Sequence, residues 1–245
     1  MSLAWIPYAS GRSATPPADR PLGGILMAAL VPLVLAAALG LAVAELQAIV
    51  LPALPEPVDN STPPFVTSSL PLLPPQFTPS VQHWSAQIYR WADDHKLPAT
   101  WVAVVMQIES CGHPRIRSRA GAAGLFQVMP FHFRDGEDPL DASTNAERGL
   151  EYLARAYTLS SGDPALTLAG YNGGHGMMNR PRALWPDETQ RYVKWGTGIL
   201  DDVAAGLTPS PTLTQWLEAG GSGLCRKASE ALALEAAAPV AASLR

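Results

Sequence analysis

A single carboxylate, Glu109, ends an otherwise apolar helical pattern over residues 98–110. The residues that recur at the spacing of one helix face are Trp101, Val102, Val105 and Glu109. The first three are apolar, so this face should pack against a core and carry Glu109 with it. Burial and the negative end of the helix dipole both raise the pKa of a carboxyl group. A carboxyl group that keeps its proton near neutral pH suits a general acid. The alternative is a Glu at the edge of the apolar stripe that points to water.

Three sequence motifs begin at this residue and follow one another along the chain. The first is ESCGHPRIRSRAGAAGLFQVMP (residues 109–130), the second AGYNGGHG (residues 169–176) and the third ETQRYV (residues 188–193). Together they resemble the soluble lytic transglycosylase (SLT) family, which is related to goose-type lysozyme. The sequence departs from the family pattern at Gly170, where alanine is common, and at Cys111, which is unusual after Glu-Ser.

The resemblance implies a mainly α, lysozyme-like fold with Glu109 as the catalytic residue. The family cleaves the β-1,4 bond between N-acetylmuramic acid and N-acetylglucosamine in peptidoglycan, and it leaves a 1,6-anhydro ring on the muramic acid. The residues expected to bind the substrate are Ser118, Phe126, Gln127, Tyr171, Asn172 and Tyr192. The residues expected to support the structure of the motifs are Ser110, Gly121, Gly124 and Glu188.

Some of these residues have a more specific expected role. Phe126 could stack on the face of a sugar. Tyr171 should form a hydrogen bond near Glu109. Tyr192 should hold the Glu109 side chain through its hydroxyl, although a tyrosine in the core would fit the same pattern. Glu188 should cap its helix or bond a loop, and the two glycines should permit tight turns.

The implied mechanism uses one carboxyl group twice. Neutral Glu109 protonates the leaving oxygen, and its carboxylate then takes the proton of the O6 hydroxyl that attacks the anomeric carbon. The substrate's own N-acetyl carbonyl stabilises the positive charge. A hydrolase would use a second carboxylate about 5–10 Å away, and no matching motif position supplies one; the acidic residues in the loop 135–141 should be solvated. Two alternatives remain open: a muramidase on the same fold, and an inactive module for wall binding or assembly.

Helical patterns surround the motifs, and no alternating strand pattern recurs. A short helix is expected around AAGLFQVM, residues 122–129. Thr144 and Glu147 are spaced as a capping box for the next helix, and Asp187 is expected to cap the last long helix. These elements place a mainly α catalytic domain at residues 81–206.

The N-terminal region predicts a membrane anchor. Residues 23–44 carry no charged side chain, and about 20 apolar residues span a bilayer as a helix. We expect an uncleaved single-pass anchor over residues 23–50, behind a cytoplasmic tail of residues 1–22 that contains Arg12 and Arg20. A cleavable signal peptide, which would leave the protein secreted, and a buried core helix are the alternatives.

Two further segments flank the expected domain. Residues 51–80 contain nine prolines, which predicts an extended linker that carries the domain away from the bacterial cell membrane on its extracytoplasmic side. Residues 207–245 form a C-terminal tail that we expect to be partly disordered.

The chain has two cysteines, Cys111 and Cys225. Outside the cytoplasm such a pair is usually oxidised, so we expect a disulfide that ties the tail to the region of Glu109; two free thiols are the alternative. The sequence has no metal-ligand spacing, and we expect neither a metal nor another cofactor. The net charge of −4 and the lack of a long basic run argue against nucleic acid. The expected partners are peptidoglycan glycan strands and, through residues 23–50, the membrane; the sequence identifies no protein partner.

Overall fold

The computed structural model describes residues 72–242, with side chains through residue 237. The α-helices in this range are α1 (Pro79–Gln82), α2 (Ser85–Asp94), α3 (Ala99–Glu109), α4 (Ala142–Leu159), α5 (Pro164–Gly173), α6 (Asp187–Ala204), α7 (Pro211–Trp216) and α8 (Ser222–Ala242). Single turns of 3-10 helix lie at Pro130–His132, His175–Asn179 and Arg182–Leu184. Between residues 72 and 242 the only β-type pairing is a set of isolated bridges. The prediction of a mainly α domain is therefore confirmed.

The predicted cytoplasmic tail (1–22), the predicted anchor (23–50) and most of the predicted linker lie outside the described residues. Within residues 72–242, none of the helices has the length and apolar character needed to cross a membrane.

Helix α3 is enclosed by its neighbours. Every residue from Val102 to Glu109 is buried, and α3 packs against both α2 and α6. Its sequence explains this position, because a helix that is apolar on nearly all faces is stable only when other elements surround it. The chain leaves the helix at Ser110, so its last residue, Glu109, is carried into the interior.

The start of α4 differs from the expected capping box. Asp141 is the N-cap residue, and its carboxylate accepts a hydrogen bond from the Thr144 N–H at 2.8 Å. Aspartate is among the strongest N-cap residues, and it stands one turn before the position that we expected for the cap. The Glu147 carboxylate oxygen instead lies 3.4 Å from the His95 Nε2 atom. Similarly, Asp187 is the first residue of α6 rather than its cap, which is Pro186.

The helix predicted over residues 122–129 is also absent. Ala123 and Val128 form a bridge in which each backbone N–H donates to the other's carbonyl at 3.0 Å. Gly124 has φ +74° and Gln127 has φ +47°, and both values lie outside the right-handed helical region. This segment is therefore a tight, bridged turn.

The folded domain extends beyond the predicted range of 81–206. Leu73 and Phe77, inside the predicted proline-rich linker, are buried in the core, because prolines exclude a regular helix without preventing apolar neighbours from packing. On the C-terminal side, residues 211–242 are helical apart from a kink at Gly220, and α8 packs against α1.

The predicted disulfide between Cys111 and Cys225 is confirmed. Cys111 lies two residues past the end of α3, and Cys225 lies in the first turn of α8, 114 residues later. Beside the bridge, the Gln107 amide group donates to the Cys111 sulfur at 3.0 Å and accepts from the Thr78 hydroxyl at 3.0 Å. The bridge and this amide together join the end of α3 to both ends of the domain.

We expect the double variant Cys111→Ser/Cys225→Ser to be less stable than the native protein by roughly 2–5 kcal/mol, because the crosslink restricts the unfolded chain. Urea unfolding with and without a thiol reductant measures the difference. Reductant should destabilise the native protein by a similar amount and leave the double variant unchanged. Equal unfolding midpoints for the oxidised native protein and the double variant would contradict a stabilising bridge.

Candidate active site

The carboxyl group of Glu109 is enclosed at the C-terminal end of α3. The residue is 5% exposed, and within the described part of the chain its Oε1 has no hydrogen-bond partner of standard geometry. Burial raises the pKa of Glu109 to about 8; the Tyr192 hydroxyl opposes this rise and the negative charge of Glu188 adds to it. Glu109 therefore keeps its proton at neutral pH, which is the state that a general acid requires.

Two buried tyrosines lie next to this carboxyl group. Tyr171 comes from α5 and Tyr192 from α6, and their rings are stacked with centroids 6.5 Å apart. The pKa of each phenol is raised well above its usual value, mainly by burial and then by the charge of Glu109. Both hydroxyls therefore stay protonated and can act as neutral donors.

The two hydroxyls differ in where they point. The Tyr171 hydroxyl donates to the Phe126 carbonyl oxygen at 2.7 Å, so it fixes the motif turn rather than the Glu109 side chain. The Tyr192 hydroxyl is buried and close enough to lower the pKa of Glu109, although their geometry does not meet the standard for a hydrogen bond. Of the two tyrosines, Tyr192 is therefore the better candidate for the expected role of holding the Glu109 side chain.

The structure corrects the expectation that Phe126 stacks on a sugar. The residue is fully buried, and its ring packs edge-on against Trp91 with centroids 6.1 Å apart. An aromatic ring enclosed in this way has no face to offer to a ligand. Phe126 contributes its backbone instead, because its carbonyl anchors Tyr171.

Ser110 joins the end of α3 to the motif turn. Its hydroxyl donates to the Leu125 carbonyl at 2.6 Å and accepts from the Gly112 N–H at 3.1 Å. Gly112 itself has φ +80°, which favours glycine, and a Cβ there would lie 2.5 Å from the Ser80 carbonyl oxygen. These contacts fix the backbone that follows Glu109.

The segment that contains Ser118 folds back on itself. The Ser118 hydroxyl accepts a hydrogen bond from the Ala122 N–H at 3.0 Å, and the Ser118 N–H donates to the Ala122 carbonyl at 2.8 Å. Gly121 permits this turn with φ +94°. The hydrogen bonds of the Ser118 side chain that the structure describes are local to its turn.

Gln127 has a left-handed backbone that is costly for a residue other than glycine. A non-glycine residue in this region costs about 1 kcal/mol or more. The Gln127 side-chain amide offsets part of that cost by donating to the Gly124 carbonyl at 3.0 Å and the Ile116 carbonyl at 3.3 Å. Such strain recurs at functional sites, which is consistent with the expected role of Gln127 in the cleft.

The remaining motif residues lie on α5 and α6. Asn172 is buried, and its side-chain oxygen accepts a hydrogen bond from the Thr189 hydroxyl at 2.8 Å. Glu188 lies in the first turn of α6, where the helix dipole favours a negative charge. Its charge is close enough to raise the pKa of Glu109, an effect that the expected structural role did not include.

Asn145 is a residue that the sequence motifs missed. It lies in the first turn of α4, and its Nδ2 group donates to the carbonyls of Ala123 at 2.8 Å and Pro139 at 3.0 Å. Its Oδ1 accepts from the Phe126 N–H at 2.9 Å. Gly124 lies against the same amide, because a Cβ there would come within 2.6 Å of the Asn145 Cγ. A buried asparagine inside a helix is unfavourable unless it bonds to other elements, and that was the available signal.

We expect Asn145→Ala to lower the free energy of unfolding by about 3 kcal/mol, because it leaves a buried backbone N–H without a partner. The matched control is Asn179→Ala, since Asn179 is exposed on the 3-10 turn His175–Asn179. Urea unfolding of both variants measures the effect. Equal stability of the two variants would show that Asn145 does not hold the motif turn.

The described residues contain no cluster of three or more His, Cys, Asp or Glu side chains placed to hold a metal ion.

Comparison with known proteins finds similarity to one family. Residues 87–192 match the Transglycosylase SLT domain. The soluble lytic murein transglycosylase of Escherichia coli (strain K12) is 28% identical over 99 residues, which cover 36% of this chain and 15% of that protein. An X-ray structure of an inactive mutant of the lytic transglycosylase Slt from Pseudomonas aeruginosa aligns with a TM-score of 0.43 and 23% identity, over 52% of this chain and 25% of that one. This chain therefore spans only a small part of the length of the relatives that it matches, and its residues 87–192 are similar to the Transglycosylase SLT domain.

Proposed function

We propose that this chain is a peptidoglycan lytic transglycosylase in which Glu109 is the catalytic acid and then the catalytic base. The observation that carries the proposal is the buried Glu109 carboxyl group, with its pKa raised to about 8, inside a segment that matches the SLT domain. The similarity to the soluble lytic murein transglycosylase of E. coli supports the substrate class.

The first step breaks the bond between N-acetylmuramic acid and N-acetylglucosamine. Neutral Glu109 donates its proton to the bridging oxygen as the bond from that oxygen to the anomeric carbon breaks. Positive charge develops at the anomeric carbon, and the N-acetyl carbonyl of the same sugar stabilises it. Burial favours this step because it keeps the proton on Glu109 until the leaving oxygen accepts it.

The second step closes the anhydro ring. The Glu109 carboxylate takes the proton of the C6 hydroxyl while that oxygen bonds to the anomeric carbon. Glu109 ends in its starting protonation state, and no water is added. The Tyr192 hydroxyl favours the carboxylate form of Glu109, so it supports the intermediate stage at which Glu109 is charged.

A muramidase is the second candidate, because one observation favours it: the charge of Glu188 acts on Glu109. A hydrolase of the usual kind uses such a second carboxylate to form a covalent intermediate or to activate water. In the lytic mechanism Glu188 has neither task, and its charge only raises the pKa of Glu109. An inactive wall-binding or assembly module is the remaining alternative.

Replacement of Glu188 separates the first two candidates. Under our proposal, Glu188→Gln retains cleavage within about tenfold of the native rate and moves the basic limb of the pH–rate profile to lower pH, because the negative charge that raises the pKa of Glu109 is gone. The hydrolase would be favoured if Glu188→Gln lost as much activity as a Glu109 variant while its urea unfolding midpoint stayed equal to that of the native protein.

The products test the proposal itself. Purified peptidoglycan digested by the native chain should yield muropeptides with 1,6-anhydromuramic acid ends, identified by mass spectrometry. Products heavier by one water molecule would favour the muramidase. The absence of any product, together with tight binding to the same material, would favour the inactive module.

We also propose that residues 23–50 anchor the chain in the bacterial cell membrane as a single span with the catalytic domain on the extracytoplasmic side. The disulfide supports this location, because such bonds persist mainly outside the cytoplasm. Fractionation and N-terminal sequencing of the native protein test the anchor. Recovery with membranes and an intact N-terminus are expected, whereas a soluble protein that begins after residue 44 would indicate a cleaved signal peptide.

A further inference from the structure

A groove of about 380 Å³ opens between α4 and the segment that follows the first motif. One wall comes from the 3-10 turn Pro130–His132 and the residues that follow it, and the other comes from α4 and His175. The side chains that the following steps use are Phe131, His132, Arg134, Tyr152, Arg155 and His175.

One side of the groove is a layer of aromatic rings. His175 stacks on Tyr152 with centroids 4.1 Å apart and planes 16° from parallel. His132 packs on the same tyrosine at 4.9 Å, and Phe131 packs on His132 at 4.5 Å. Phe131 is 59% exposed. Flat rings of this kind match the apolar faces of sugars and peptide methyl groups.

The positive charge of the groove comes from its arginines. The pKa of His132 and that of His175 are lowered, chiefly by burial, so both rings are neutral at neutral pH. Arg148, also in the groove, is already paired, since its guanidinium contacts the Glu137 carboxylate at 2.6 and 2.9 Å and that of Glu151 at 3.0 Å.

Arg134 and Arg155 are in a different situation. Both are exposed, and neither forms an ion pair with any residue between 72 and 237. Arg155 lines the groove together with Tyr152 and His175. The Arg134 backbone N–H donates to the Glu137 carboxylate at 2.9 Å, and its guanidinium lies outside any ion pair within that range. The groove therefore combines aromatic rings with two exposed cations.

The groove lies near the surroundings of Glu109. The Tyr152 ring lies 6.0 Å from the Tyr171 ring, and Tyr171 is one of the two tyrosines whose phenol responds to the charge of Glu109. The groove and the candidate active site are therefore separated by the rings of these two tyrosines, a distance that a polymer can span.

We propose that this groove binds the carboxylate groups of the peptide stems that the glycan strand carries, with Arg134 and Arg155 as their partners. The inference rests on the proposed function, which puts a stem-bearing strand at Glu109. A guanidinium group matches a carboxylate through two parallel hydrogen bonds, and the aromatic layer packs against the apolar parts of the same stem. The groove thus gives the enzyme a preference for strands that keep their stems.

Binding without turnover tests this proposal in the full chain that carries Glu109→Gln. Three probes are compared: glycan strands with free stem carboxylates, the same strands with those carboxylates amidated, and strands stripped of stems by an amidase. Free-stem strands should bind at least about tenfold more tightly than the other two. Arg134→Ala/Arg155→Ala should abolish this preference and leave the affinity for stripped strands unchanged. Arg134→Lys/Arg155→Lys should restore part of it.

The matched control is Arg90→Ala/Arg226→Ala, which removes the same charge from exposed positions on α2 and α8. This control should keep the native preference. An equal loss in control and groove variants, or equal binding of amidated and free-stem strands, would overturn the proposal. A competition experiment gives a further test. If a phosphodiester polymer displaces the bound free-stem strand more effectively than the isolated stem peptide does, the groove prefers phosphate groups to carboxylates and the proposal is overturned. This assay measures binding and needs no cleavage. Its result is therefore independent of the anhydro products that test the proposed function.

Discussion

Under the proposed mechanism, replacing Glu109 with Gln should lower the rate of glycan cleavage by about a hundredfold to ten-thousandfold, the range that a positioned acid or base contributes. Glutamine has nearly the same shape and is neutral, as Glu109 is at neutral pH, so the fold should be retained. The amide cannot give a proton to the leaving oxygen or take one from the C6 hydroxyl, and both steps lose their catalyst. Release of soluble muropeptides from purified peptidoglycan, followed over time, measures the rate.

The control for this experiment is Glu218→Gln, which makes the same chemical change at an exposed position in the kinked segment Leu217–Gly221. Its rate should equal the native rate. Urea unfolding and circular dichroism establish that the Glu109→Gln protein is folded. A folded Glu109→Gln protein that releases muropeptides at the native rate would refute the assignment of the catalytic residue.

The second large effect concerns stability. The pKa of Glu109 is raised from 4.5 to about 8 on folding, so between these pH values the folded protein holds a proton that the unfolded chain has released. The free energy of unfolding therefore falls as pH rises through this window. The contribution of Glu109 is fully present below pH about 4.5 and is lost above pH about 8. The total loss is of the order of 5 kcal/mol.

Comparison with Glu109→Gln isolates this contribution. Glutamine does not titrate, so the native protein should lose stability relative to the variant between pH 4.5 and 8. Other groups titrate alike in both proteins and cancel in the difference; an example is Glu137, whose pKa the Arg148 guanidinium holds at about 2. Urea unfolding at half-unit pH intervals measures the difference. Parallel stability curves for the two proteins would mean that Glu109 is not buried as a protonated acid.

The sequence predicted the burial of Glu109 because the cause is local. In α3, apolar residues recur three and four positions apart, and this spacing places Glu109 on the buried face of the helix. The prediction needs no information about contacts with distant segments. The cysteine pair was similarly accessible, because two cysteines allow one intramolecular bridge and the expected compartment favours it.

Other features depend on contacts between distant segments and could not be predicted in this way. Phe126 lies in an irregular turn with no period to tell a core position from a cleft position, and its burial depends on Trp91 of α2. The turn itself is set by Asn145 on α4, through hydrogen bonds that cross about twenty residues of sequence. The groove beside the site is likewise assembled from residues on α4, the turn after the first motif and the second motif.

The sequence did not predict the limits of the domain, for a different reason. Proline-rich composition predicts an extended chain, but the composition does not show that Leu73 and Phe77 pack into the core. An alanine-rich end can be helical or disordered by itself. The disulfide at Cys225 and the packing of α8 on α1 are what hold that end on the domain.

The most direct test of the central claim is digestion of peptidoglycan by the native chain in water labelled with heavy oxygen. Lytic cleavage with Glu109 as acid and then base adds no water, so every new muramic acid end should be a 1,6-anhydro ring without label, and the Glu109→Gln protein should form none. New muramic acid ends that are reducing and carry the heavy oxygen would contradict the account, because water rather than the C6 hydroxyl would then have attacked the anomeric carbon.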